Sequence, residues 1–198
     1  SIDVILDDVF VPAYRTQAMQ DNFKLTGAGQ AVNTGSLYRL PFGQIFVRGI
    51  STSGLGALQG MFTSFLDYGR TRVTRAGGRS AENPMVQLLC AETAGALDEM
   101  KATLHRTFDI LHGYAQRGET PPLEERLKFK FQSTAVTERC TQLAARIFKA
   151  TGAAGLLDEH PFGGILADLN AGRQHISNQF EYVGSNWGGV MFGFETKD

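Results

Sequence analysis

Three places in the chain carry side chains whose types and spacing could do chemistry. In SLYRLPFG, residues 36–43, Arg39 and Phe42 set a cation and an aromatic face three residues apart on a segment bent by Pro41. Such a pair can sandwich a planar ligand. Arg70, Arg72, Arg75 and Arg79 crowd into ten residues where a long helical pattern breaks off. They read either as a solvated basic turn, favoured by the helix C-terminus before them, or as a phosphate clamp built on bidentate guanidinium bonding. In LADLNAGRQHIS, residues 166–177, His175 lies between Gln174 and Ile176. It is either a satisfied core or rim histidine or, at a cleft, a hydrogen-bonding or acid–base group for a phenol or carbonyl.

Several other chemistries lack their residues. A di-iron bundle needs Glu-x-x-His pairs, yet Glu92 is followed at +3 by Gly95 and Glu138 by Thr141. There is no HExxH, no Walker A loop and no nucleophile elbow. His105 and His112 are seven apart with no ligand neighbours, so they read as surface or capping residues, and no metal site is expected. His160, before Pro161, reads as a turn position.

These residues need elements to position them. Residues 2–11 (IDVILDDVFV) are β-rich and end at Pro12, and one strand without partners cannot form a sheet. Residues 20–44 read as an ordered connector rich in Gly and Asn. Over 45–69, Phe46, Ile50, Ser53, Ala57, Met61, Ser64 and Tyr68 recur at three- and four-residue spacing, predicting a helix with those residues as its stripe. It also carries Gly49, Gly54, Gly56 and Gly60, which are either tolerated or allow close approach of another backbone. Asn83-Pro84 opens a second helix with the stripe Leu97, Met100, Leu104, Phe108, Leu111 and Ala115, ended by Gly118 and Pro121-Pro122. A third, over 123–150, presents Phe129, Ser133, Val136, Cys140, Leu143 and Ile147. A fourth is expected from Phe162 to Phe180, with an extension towards Phe192. Four long segments with short connectors predict a mainly α protein, an up-down-up-down bundle.

Composition agrees with a globular domain. The 198 residues hold 19 Lys plus Arg against 20 Asp plus Glu, a formal charge of −1, and no basic excess of the kind nucleic-acid binders show. No apolar run reaches the ~18 residues of a membrane span, and no secretory signal opens the chain. Cys90 and Cys140 read as small core residues in a reducing, cytoplasmic setting.

The order and spacing of several of these motifs resemble the C-terminal half of the acyl-CoA dehydrogenase superfamily. The nearest likeness is to the oxygenase components of two-component flavin-dependent aromatic monooxygenases of the p-hydroxyphenylacetate hydroxylase type. DDVFVP resembles the end of the central β domain, LYRLPFGQIFVRG with GALQG the entry to the helical domain, and ATGAAGLLDEHPFGGILADLNAGRQH the turn and last catalytic helix. The resemblance implies that residues 1–43 hold the last strand of that β domain and a connector, and residues 44–198 a C-terminal helical bundle domain. Acyl-CoA dehydrogenases typically carry a Glu-Gly-Thr stretch near the place of His175-Ile176-Ser177; here the carboxylate base is missing, and Ala167 stands where the family has an arginine.

By the same resemblance the activity is ortho-hydroxylation of a phenolic substrate with reduced FMN or FAD and O2, through a C4a-hydroperoxyflavin. A separate flavin reductase would supply the cofactor, and the protein would be a homo-oligomer, a tetramer, with no nucleic-acid or membrane partner. Arg39 and Phe42 would meet flavin and substrate, and His175 would be catalytic, hydrogen-bonding the flavin or the substrate phenol, with Ile176 beside it. Arg72 and Arg75 would bind the flavin phosphate, if need be across a subunit boundary, and Ala153 and Ala154 would offer backbone groups. The alternatives are an acyl-CoA dehydrogenase-like or N-hydroxylating flavoenzyme of the same fold, or a non-catalytic helical oligomerisation module. Under any of them the glycines of the first helix and those near Trp187 could serve subunit packing.

Overall fold

Seven α-helices account for most of the chain in the computed structural model, which describes residues 3–196. Two short ones, α1 (Met19–Lys24) and α2 (Ala28–Val32), and a 3-10 turn at Ser36–Arg39 make up the connector. Pro41, with φ −62°, sets the entry to α3 (Phe42–Thr71), a 30-residue helix. Asn83 caps α4 (Pro84–Arg117) by accepting from the Met85 N–H at 2.8 Å, and Gly118, at φ 70°, ends it. Glu124 and Glu125 in the first turn of α5 (Leu123–Thr151) complement the helix dipole. The chain then forms a 3-10 turn at Gly152–Leu156, α6 (Phe162–Arg173), a second 3-10 turn at Ile176–Asn178, and α7 (Phe180–Met191). The α5 helix is central, touching α3, α4, α6 and α7.

The core lies along α5, where Val136, Cys140, Leu143, Ala144 and Ile147 pack against Leu58, Met61, Phe62 and Phe65 of α3 and Leu97 and Met100 of α4. The stripes expected on α4 and α5 are the ones that turn inward. On α3 the phase differs. Val47, Ser51, Leu55, Leu58, Met61, Phe62 and Phe65 face the core, while Phe46 is 41% exposed and Ser53 is exposed too. Glycines and small polar residues on both sides of α3 blur the apolar contrast that normally sets the phase. Of its glycines, a Cβ on Gly54 would lie 3.6 Å from Leu169, whereas one on Gly49, Gly56 or Gly60 would meet nothing within 4 Å.

Two further expectations are corrected. The fourth helix does not run through to Phe180: it stops at Arg173. His175 and Asn178 break it by taking over helix bonds, His175 Nδ1 accepting from the Ser177 N–H at 3.1 Å and Asn178 Nδ2 donating to the Gly172 carbonyl at 3.3 Å. The strand expected over residues 2–11 does not form where it is described (residue 2 lies outside the described residues). Residues 3–11 have no neighbouring strand with which to share a ladder, and Ile5 and Phe10 are 90% and 88% exposed. Among the described residues no helix is long and apolar enough to cross a membrane.

Burial pushes the Cys140 thiol up to about 12 and raises that of half-buried Cys90 less. A disulfide-exchange reagent at pH 8 is therefore expected to label Cys90 slowly and Cys140 only on unfolding. Phe65→Ala, emptying a 1% exposed core position, should cost about 3–5 kcal/mol in urea denaturation.

Candidate functional site

Phe42 and Phe46 sit one turn apart at the start of α3, so their rings fall on the same side of the helix. They stack with centroids 5.0 Å apart and planes 22° from parallel. Phe23, carried by α1, meets Phe42 edge-on at 5.4 Å, and the His175 ring lies 5.3 Å from Phe46. Beside them is a hollow of about 480 Å³, lined by Phe23, Phe42, Phe46 and Ile176 together with Lys130, Ser177, Gln179, Tyr182 and Val183. Its walls are mainly aromatic and aliphatic with a few polar tips, the usual make-up of a small-molecule site.

The break after α6 determines which face of His175 is available. Because Nδ1 accepts the Ser177 N–H, the neutral ring carries its proton on Nε2 and presents a donor there. A histidine in the middle of a regular helix would have neither the extended backbone of His175 (ψ 138°) nor this bond.

The other end of α3 holds a second cluster. Arg72 follows the last residue of the helix and hydrogen-bonds the Thr151 carbonyl through Nη1. Its guanidinium lies over the Tyr68 ring at 5.1 Å, and Tyr68 Oη donates to the same carbonyl at 3.0 Å. Ala153 and Ala154 belong to the turn that begins at Gly152. A Cβ on Gly152 would lie 3.0 Å from Arg72 Nη2, so the glycine leaves the guanidinium room. His160 joins this cluster, 5.2 Å from the Tyr68 ring.

The structure thus brings Phe42 and Ile176 to one hollow, with the His175 ring behind its Phe46 wall, and Arg72, Ala153 and Ala154 together at another place. It does not pair Arg39 with Phe42. Arg39 is exposed and lies near the C-terminal end of α4, its Nη1 3.8 Å from where a Cβ on Gly118 would be. Arg75 is exposed on the turn closed by the Val73–Arg79 bridge, and Arg70 pairs with Asp67 at 2.5 Å. A 30-residue helix is about 45 Å long, so Phe42 and Arg72 stand at opposite ends of the fold. Sequence reasoning missed Phe23, Phe46, Lys130 and Tyr182 as lining residues. The four-residue spacing of Phe42 and Phe46 was the available signal for one of them.

The family model described as acyl-CoA dehydrogenase, C-terminal domain, matches residues 48–180. The chain belongs to that family. The oxygenase subunit HsaA of a flavin-dependent monooxygenase from Rhodococcus jostii (strain RHA1) is 27% identical over 197 residues, 98% of this chain and 52% of the relative. The oxygenase component of FADH(2)-dependent resorcinol hydroxylase from Rhizobium sp. (strain MTP-10005) is 31% identical over 208 residues, 98% of this chain and 50% of the relative. Among solved structures, 3-HSA hydroxylase from Rhodococcus sp. RHA1 superposes with a TM-score of 0.88 at 26% identity, over 98% of this chain and 50% of that one. XiaF from Streptomyces sp., in complex with FADH2 and glycerol, shares the fold at a TM-score of 0.81 and 18% identity, over 98% and 49% of the two chains. The chain spans about half the length of the curated relatives it matches. The resemblance to oxygenase components read from its motifs is matched by the names these relatives carry.

Gly152 has φ 65° and ψ −155°, a region essentially closed to L side chains, and its missing Cβ leaves room for Arg72. Gly152→Ala should therefore cost about 1–3 kcal/mol of stability in chemical denaturation.

Proposed function

We propose that this chain is the helical part of the oxygenase component of a two-component flavin-dependent monooxygenase. Residues 1–43 contribute the end of a β domain and a connector, and residues 44–198 form the bundle domain. The enzyme takes reduced FMN or FAD from a separate flavin reductase and, with O2, hydroxylates a phenolic ring ortho to its hydroxyl. One oxygen atom enters the ring and the other leaves as water. The observation that carries this reading is the hollow walled by Phe42 and Phe46 and bordered by His175, in a chain related along 98% of its length to oxygenase components.

The residues fit a planar, electron-rich ligand at one end of α3 and an anion at the other. When bound, reduced flavin with dioxygen supplies the hydroxylating oxygen. The protein supplies position and dryness. Phe42 stacks on the planar rings, Ile176 covers one side, and the aromatic walls keep water from the reacting centre. His175, with its proton on Nε2, donates to the substrate oxygen and stabilises phenolate character, which activates the ring for attack. It acts as a donor and not as the group that removes the phenol proton, because its other nitrogen is engaged by Ser177.

Arg72, with Arg75 and the backbone of Ala153 and Ala154, binds the flavin phosphate. The length of α3 is well beyond the reach of one flavin nucleotide, so that phosphate belongs to a flavin held by the Phe42 end of a second copy. The reading therefore requires a homo-oligomer, for which we propose a tetramer.

Stopped-flow mixing of the protein and reduced FMN with O2 tests the reading, using the natural polypeptide that carries this chain. A lag before oxidised flavin appears, with oxygen consumption coupled to catechol formation, is expected. Oxidation as fast as that of free flavin, with all oxygen recovered as hydrogen peroxide, overturns it. His175→Asn can still accept from Ser177 but lacks Nε2, and is expected to lower hydroxylation about 10²-fold or more with flavin affinity retained. Arg72→Ala should weaken reduced-flavin binding by roughly tenfold in equilibrium titration.

A further inference from the structure

A second hollow, of about 590 Å³, lies between α3 and α4, away from the aromatic one. Ile45, Leu55, Leu104 and Phe108 give it apolar walls, and Arg48, Lys101 and His105 also line it. Arg48 is the anomaly. It is only 7% exposed, and its Nη1 donates to Thr107 Oγ1 at 2.9 Å and approaches the Leu104 carbonyl at 3.4 Å. Its Nε and Nη2 are buried and have no hydrogen-bond partner among the described residues. These two nitrogens form one edge of the planar guanidinium, the edge that takes both oxygens of a carboxylate.

The other arginines whose ion pairs are resolved find carboxylates: Arg70 with Asp67, Arg117 with Glu119, Arg139 with Glu99, Arg146 with Glu92 and Arg173 with Glu138. The first four of those pairs are largely exposed, where a partner matters least. Arg48, buried, has no such pair among the described residues, and desolvation pulls it down to about 10, still cationic at neutral pH. A buried charge without a counter-charge is costly, and Thr107 fixes the guanidinium with its fork unused.

We propose that the α3–α4 hollow is a binding site for a small organic acid with an apolar body, its carboxylate held bidentate by Nε and Nη2 of Arg48. The apolar walls take the body, and Lys101 and His105 add positive or donor character around it. Nε and Nη2 are shielded from bulk water, so the head group reaches them by parting the side chains that line the hollow. The site does not rest on the hydroxylase reading: none of its lining residues is assigned a role there.

Hexanoate and benzoate, each against its neutral amide, are the probes. On the purified protein, both acids are expected to raise Tm by roughly 3 °C at ten times Kd. They should also shift the Arg48 Nε–H resonance in a ¹⁵N spectrum, while hexanamide and benzamide do neither. Arg48→Met should lose the acid-dependent shift. Arg48→Lys, a cation without the fork, should bind the acids at least tenfold more weakly. Should Arg48→Met fold poorly, the acid–amide comparison on the unmodified protein still decides. Equal responses to acid and amide, no response to either acid at millimolar concentration, or an undiminished shift in Arg48→Met each overturn the proposal.

Discussion

Where α3 crosses α5, Ser51 and Ser133 share a hydroxyl–hydroxyl hydrogen bond of 2.8 Å sealed from water on both sides. Two further polar keys precede it on the same face of α3. Gln44 Nε2 donates to the Arg126 carbonyl at 2.8 Å, and Arg48 reaches Thr107 on α4. Apolar packing alone tolerates small rotations and slides of one helix against another. Buried hydrogen bonds do not, because each one lost leaves a desolvated donor or acceptor. Turning α3 by one residue would swing its side chains through about 100° and break all three keys. Phe42 and Phe46 occupy the same end of the helix as these keys, so the direction in which their rings point is set by bonds that never touch a ligand.

The remainder of α3 is held differently. Beyond Ser51 its inward residues are Leu55, Leu58, Met61, Phe62 and Phe65, merging into the core along α5. One helix thus has a half specified by hydrogen bonds and a half specified by volume. The polar half is the one that borders both hollows. This division also explains why the buried face of α3 was the hardest to read in the sequence. On α5, Phe129, Val136, Cys140, Leu143 and Ile147 repeat with enough contrast to fix the buried face, and the stripe of α4 is as clear. On α3 the buried Gln44, Arg48 and Ser51 look like surface residues, and the outward Phe46 looks like core. Only the partners on α4 and α5 reverse that impression.

The break after α6 was illegible for a related reason. LADLNAGRQHIS has no proline, and its single glycine is tolerable in a helix, so local propensity favours continuation. What ends the helix is the pair of bonds made by His175 Nδ1 and Asn178 Nδ2, whose value depends on Asn178 being buried against the bundle. Such side chain-to-backbone competition is a tertiary effect expressed locally. The turns, by contrast, were readable residue by residue: Asn83-Pro84, Gly118 and Pro121-Pro122 all stand where their backbone preferences require.

The same physics constrains how a site can be assembled on this scaffold. A long straight helix is a good ruler and a poor clamp. It holds Phe42 and Arg72 at fixed positions, but about 45 Å apart, and no rotamer change shortens that distance. Arg72 cannot therefore serve the aromatic hollow of its own chain. It is rigidly placed all the same, tied to the Thr151 carbonyl and stacked over Tyr68, with Gly152 keeping room beside it. Rigid placement of a guanidinium reduces the entropy lost when it meets an anion, whichever molecule presents that anion. A symmetric assembly that brings the Arg72 end of one copy to the Phe42 end of another would turn the helix length from an obstacle into the spacing rule, because an antiparallel arrangement of two such helices about a two-fold axis generates two equivalent composite sites at once.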